Sequence, residues 1–156
     1  VFEFLTKHDN DYLTELHKLF MQKVIRPQMR PEGFKAIERH REAGHELVGI
    51  TATSDFITAP IFREFGINEI IATNAEIVDG KYTGKVINTA CYQKGKLIRL
   101  EQWLEGRDVT ESWAYSDSIN DRFLLEHADH AIAVNPDDRL EALAKEQGWE
   151  IQDWSI

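Results

Sequence analysis

Apolar residues recur along this chain at two spacings, and the spacing alternates. Leu13, Leu16, Phe20 and Val24 lie three to four positions apart, which predicts an amphipathic helix over 9–25 with a polar cap before it. Pro27 and Pro31 break that helix and start another over 31–43, which Gly44 ends. A β-rich run at 46–51 leads through the polar tip Ala52-Thr53-Ser54-Asp55-Phe56 into a helix over 57–65. Gly66 closes it, a strand follows at 68–72, and Asp79-Gly80 joins two short strands, 75–78 and 82–86, into a hairpin of the kind that serves as a flap. Lys94-Gly95-Lys96 opens a helix with Leu97, Leu100 and Trp103 on one side. Trp113-Ala-Tyr-Ser116 reads as a buried strand that ends at Asp117 and turns into a helix over 120–126. A strand at 130–134, the stop and cap Asn135-Pro136-Asp137, a helix over 137–147 and a strand at 149–153 complete the chain. Strands alternating with helices of about ten residues predict an α/β fold with a parallel sheet covered by helices on both faces.

Ligands of such sheets lie beyond the carboxyl ends of the strands, so the polar tips there carry the candidate chemistry. Asp117 and Asp121 stand four residues apart, one at a strand end and one in the first turn of a helix. Such a pair suits one Mg²⁺ ion, which takes one or two protein carboxylates and completes its shell with water and a substrate phosphate. The competing reading is local: Asp117 caps the helix and Asp121 favours its dipole. The hydroxyls of Thr53 and Ser54, with the free N–H groups of the next helix, form a candidate phosphate cradle, although turns and caps alone account for Ser and Thr there. A lysine at a helix start opposes the dipole unless an anion is near, which makes Lys94 and Lys96 either phosphate partners or solvated surface residues. Asp9-Asn10-Asp11 is a cap rather than a nucleophile, because polar Thr6-Lys7-His8 precedes it where an apolar strand is needed.

With 156 residues, 42% of them apolar, the chain has enough for one ordinary domain core. Its formal charge of -9 disfavours nucleic acid, which demands clustered Lys and Arg. Cys91 is the single cysteine, so no internal disulfide forms, and no Cys/His cluster has zinc spacing. No apolar run approaches ~18 residues and no charged-then-apolar leader is present, so neither a transmembrane segment nor a signal peptide is expected. A cytoplasmic location is the simplest expectation. The first residue is Val1 rather than Met, so an upstream part of the same protein is expected.

Gly49-Ile-Thr-Ala-Thr53-Ser-Asp-Phe, Lys94-Gly-Lys96 and Tyr115-Ser-Asp117-Ser-Ile-Asn-Asp121 stand in the order of the haloacid dehalogenase superfamily. The chain resembles its phosphoserine-phosphatase-like branch. Ile50 to Ile61, the hairpin Asp79-Gly-Lys-Tyr-Thr-Gly84 and Val134-Asn-Pro-Asp-Asp138 are similar to subfamily IB hydrolases of that branch. The resemblance implies a Rossmann-like core over 31–156, with the end of a helical cap and its return linker over 1–30. It implies that Thr53 binds phosphate with Ser54 beside it, that Lys96 or Lys94 supplies the third-motif lysine, and that Asp117 and Asp121 position Mg²⁺. Lys96 is favoured by its spacing to Arg99 and Leu100.

One family feature is missing from this sequence. The nucleophile and general acid of the family lie on an Asp-x-Asp loop after the first strand, and no Asp-x-Asp here follows an apolar strand. The resemblance therefore implies that the first strand, between those at 46–51 and 113–116, lies upstream of Val1. Three readings stand: a Mg²⁺-dependent phosphomonoesterase of a small phosphorylated metabolite or lipid head group, a non-catalytic Mg²⁺ and phosphate binder, and a plain α/β interaction domain.

Overall fold

The computed structural model describes residues 2–88 and 91–156, in two compact units that divide between Cys91 and Tyr92. Val1, from which the expectation of an upstream part starts, lies outside the described residues.

The first unit opens with α1 (Phe2–Thr6) and α2 (Asn10–Phe20). Asp9 caps α2 by accepting the Tyr12 N–H at 2.8 Å, and the helix buries Leu13. The continuous helix predicted over 9–25 changes register instead: Met21–Ile25 is a π turn and Arg26–Gln28 a 3₁₀ turn. Pro27 explains the change, because it has no N–H for the Lys23 carbonyl and its ring clashes with that oxygen. Helix α3 (Pro31–Glu42) starts on Pro31 as expected, and strand β1 (Val48–Ser54) follows. Helix α4 (Asp55–Glu64) begins two residues earlier than its pattern predicts, since Ser54 serves as its cap. It packs against β1 where only glycine fits: a Cβ on Gly49 would lie 2.4 Å from the Phe62 ring.

Strand β2 (Glu69–Thr73) pairs in parallel with β1, matching Ile50 to Ile71, and the register shifts before Ser54 meets Thr73. The Thr73 hydroxyl donates to the Ala52 carbonyl at 2.8 Å across that irregularity. Strands β3 (Ala75–Val78) and β4 (Lys81–Val86) form the predicted hairpin, turning at Asp79-Gly80 with both residues at positive φ. Leu5, Leu13 and Ala75 make a core against which Phe2, Phe56 and Tyr82 pack.

The second unit contains α5 (Lys94–Leu104), β5 (Trp113–Ser116), a 3₁₀ turn (Ile119–Asp121), α6 (Arg122–His127), β6 (His130–Val134), α7 (Asp138–Gln147) and β7 (Glu150–Gln152). Strands β5, β6 and β7 form a parallel sheet in that order, with Tyr115 opposite Ile132 and Ala133 opposite Ile151. Leu125, Ala131, Ala133, Leu140 and Ala144 form the core, and truncating a fully buried leucine such as Leu140 to alanine costs about 2–5 kcal/mol.

Helices and parallel strands alternate as the sequence predicts, but the strands form two parallel groups rather than one ladder. Strand β1 pairs only with β2, and β5 only with β6, so each keeps one edge without a partner strand among the described residues. Among those residues no helix is long and apolar enough to cross a membrane.

Candidate functional site

In the second unit the predicted acidic motif and lysine come together. Strand β5 carries Ser116 to the carboxyl edge of its sheet, Asp117 follows, and the short 3₁₀ turn swings Asp121 back under the strand end. Asp121 Oδ1 accepts from Lys96 Nζ at 2.5 Å, while Oδ2 accepts from the Ser116 hydroxyl at 2.7 Å. The pair is shielded from solvent, with the Lys96 and Asp121 side chains 10% and 15% exposed. Lys96, not Lys94, therefore meets the acidic motif, and Lys94 is exposed on the same helix start. An ammonium has three donors, and after the bond to Asp121 the other two have no acceptor among the described residues. Gln93, just before α5, sits at φ +47°, a strained conformation for a residue with a side chain, where the chain bends to aim the helix start.

Asp117 differs from Asp121 in every respect that bears on a ligand. Its side chain is exposed and takes no protein hydrogen bond among the described residues. Its backbone is held: the Asp117 carbonyl accepts the Asp137 N–H at 2.8 Å. The capping reading of Asp117 does not hold, because Ser118 caps the turn by accepting the Asn120 N–H at 3.3 Å. Asp137 caps α7 and also accepts the Ile119 N–H, and those N–H bonds, the one from Ile119 foremost, hold its carboxyl below the usual carboxylate range.

The donors here are carboxylate oxygens, the type that Mg²⁺ takes. Of the two, Asp117 has both oxygens without a hydrogen bond among the described residues, so it fits a direct ligand, whereas Asp121 has each oxygen committed and fits a support for the lysine. Among the described residues no group of three or more His, Cys, Asp or Glu is gathered to hold a metal.

In the first unit the two hydroxyls of the predicted cradle divide. Thr53 is exposed, with its N–H given to the Thr51 hydroxyl at 3.1 Å. Ser54 is 3% exposed, and its hydroxyl caps α4 by accepting the Phe56 N–H at 3.3 Å. Asp55, which the sequence reading passed over, is the hub of this loop. Its Oδ1 accepts from the N–H groups of Phe56 and Ala75 at 2.8 and 3.2 Å, and Oδ2 accepts from the Asn74 amide at 3.0 Å. The readable signal was a carboxylate in the first helical position, where it caps locally and leaves an oxygen for a distant partner. An open cleft of about 620 Å³, walled by His17, Arg26, Phe56, Pro60, Glu64 and Tyr82, lies elsewhere in this unit and contains none of the sequence-predicted residues.

Residues 1–126 match the haloacid dehalogenase-like hydrolase family. A histidinol-phosphatase of Neisseria meningitidis is 40% identical over 153 residues, 94% of this chain and 69% of that protein. A phosphoserine phosphatase of Mycobacterium tuberculosis is 40% identical over 121 residues, 76% of this chain but only 39% of its own length. A crystal structure of a Bordetella pertussis protein of unknown function superposes with a TM-score of 0.94 at 38% identity, covering 99% of this chain and 71% of that one. A probable phosphoserine phosphatase of Vibrio cholerae, 19% identical with a TM-score of 0.67 and covering 81% of this chain and 39% of its own, shares the fold. On the family match and these identities, the chain belongs to the haloacid dehalogenase-like hydrolases.

Proposed function

We propose that this chain carries the metal- and phosphate-binding part of a Mg²⁺-dependent phosphomonoester hydrolase. The observation that carries the proposal is the shielded Lys96–Asp121–Ser116 triad beside an Asp117 carboxylate with no hydrogen-bond partner among the described residues. A lysine with two donors unclaimed among the described residues, fixed by an aspartate, is a pre-aimed partner for phosphoryl oxygens. The exposed Thr53 hydroxyl is the second phosphate partner in this reading, and Ser54 supports it as the cap of α4. Asp117 would hold Mg²⁺, which when bound neutralises charge on the phosphoryl group. Asp121 orients Lys96, and Lys94 stays in solvent.

Residues 1–30 are, in this proposal, the end of a helical cap and its return linker, and 31–156 the core. The nucleophilic Asp-x-Asp of the family belongs, in this proposal, on an upstream segment of the same protein. In that reaction the nucleophilic carboxylate attacks phosphorus and the second aspartate protonates the leaving alcohol, and water then hydrolyses the aspartyl phosphate. The substrate class is a small phosphorylated metabolite or lipid head group. The relatives named for histidinol phosphate and phosphoserine favour the former, and the -9 charge sets nucleic acid aside.

The test is hydrolysis of an aryl phosphate with Mg²⁺ by the gene product read from its own start codon. Turnover that is lost in both Asp117→Asn and Lys96→Ala supports the proposal. Full turnover in both variants would refute these roles.

A further inference from the structure

Asp137 does more than a cap requires. Capping α7 uses only Oδ1, which accepts the Leu140 N–H at 2.8 Å. Its other oxygen accepts the Ile119 N–H at 2.9 Å across 18 residues of sequence, and its own N–H donates to the Asp117 carbonyl at 2.8 Å. Between these two bonds, the Ser118 N–H donates to the Ser116 hydroxyl at 3.2 Å. Three consecutive residues, 117 to 119, thus have a backbone group pinned, while the Asp117 carboxylate has no hydrogen-bond partner among the described residues.

The clamp is itself anchored. Asn135 sits at φ +41°, where its N–H donates to the Gln152 carbonyl at 2.9 Å, its Oδ1 accepts the Trp154 N–H at 2.8 Å and its Nδ2 donates to Asp153 at 2.6 Å. Pro136 fixes φ between the two polar residues. The loop from Asn135 to Asp137 is therefore tied to the C-terminal segment on one side and to α7 on the other, and it grips the Asp117 loop between them.

We infer that Asp137 is a positioning residue for the Asp117 carboxylate, holding still the loop from which that metal ligand projects. The inference rests on the metal reading proposed above and deepens it. A ligand on a pinned backbone loses little freedom when it binds, and partners one shell removed from a metal typically change its affinity 10–100-fold.

Asp137→Ser separates this role from the cap. Serine is as good a helix cap, but its single hydroxyl oxygen cannot serve Leu140 and Ile119 together. Three quantities are measured on the full chain: calorimetric Mg²⁺ affinity, amide hydrogen exchange at Ile119, and the melting temperature. The expected result is wild-type melting, faster exchange at Ile119, and Mg²⁺ affinity weakened roughly tenfold. Faster exchange at Ile119 with unchanged Mg²⁺ affinity overturns the inference and leaves the metal reading standing. A wild-type chain that binds no Mg²⁺ overturns both. If Asp137→Ser melts well below wild type, Asp137→Asn replaces it, since its amide oxygen keeps the cap while the NH₂ group cannot accept from Ile119, and the same outcomes apply.

Discussion

Replacing Lys96 with methionine keeps the apolar stem and removes the ammonium, so it isolates the Lys96–Asp121 contact. The bond is 2.5 Å long between side chains only 10% and 15% exposed, which places it with buried pairs rather than surface ones. Losing one partner of a buried pair costs about 3–5 kcal/mol because a carboxylate is left desolvated. Asp121 keeps the Ser116 hydroxyl, so the lower end, about 3 kcal/mol, is expected. For a chain of 156 residues that loss lowers the melting temperature by roughly 6–12 °C if it unfolds as one unit. Asp121→Leu is expected to destabilise comparably, whereas the double variant Lys96→Met/Asp121→Leu costs about 3 kcal/mol, little more than either single, because no unpaired charge is left. Urea unfolding of the four proteins gives the coupling energy, expected at about 2–3 kcal/mol. Single effects that add to within about 0.5 kcal/mol would refute a coupled pair.

Phosphate binding is expected to fall sharply in Lys96→Ala, to weaken in Thr53→Val and to persist in Lys94→Ala, read as the stabilisation of the melt by orthophosphate with Mg²⁺. Loss in Lys94→Ala with retention in Lys96→Ala would move the site to the exposed lysine. A separate pH effect is expected from His40, whose ring lies 2.8 Å from that of His45, Nδ1 to Nδ1. Burial, and then the charges of His45 and Arg39, hold its pKa below the ordinary histidine value. Between that lowered value and about 6.5 the unfolded chain binds the extra proton, so stability is full above about pH 6.5 and falls as pH drops through that window. His40→Gln flattens the slope in denaturation curves taken across it, and an unchanged slope would contradict the assignment.

The elements were legible where local chemistry decides them. The hairpin was announced by Asp79-Gly80, β5 by the Trp-Ala-Tyr-Ser run and α7 by its cap and its αL glycine, Gly148. Apolar periodicity says nothing of how one side chain interferes with a carbonyl four residues back, so the slip of α2 into a π turn was missed. The choice between Lys94 and Lys96 had to wait for the structure, because burial of one and exposure of the other depends on where Asp121 lies, 25 residues on. Asp55 was read only as part of a polar tip, although it opens α4, and Asp137 as a helix cap, which it is. Their second oxygens reach Asn74 and Ile119, and no local pattern records such partners.

The account depends most on Asp117 as a metal ligand, and calorimetric titration of Mg²⁺ into wild type and Asp117→Ala tests that directly. Asp117 is exposed and its side chain makes no hydrogen bond among the described residues, so the variant is expected to melt with wild type while its Mg²⁺ binding disappears. An Asp117→Ala chain that binds Mg²⁺ as tightly as wild type would contradict the account at its centre.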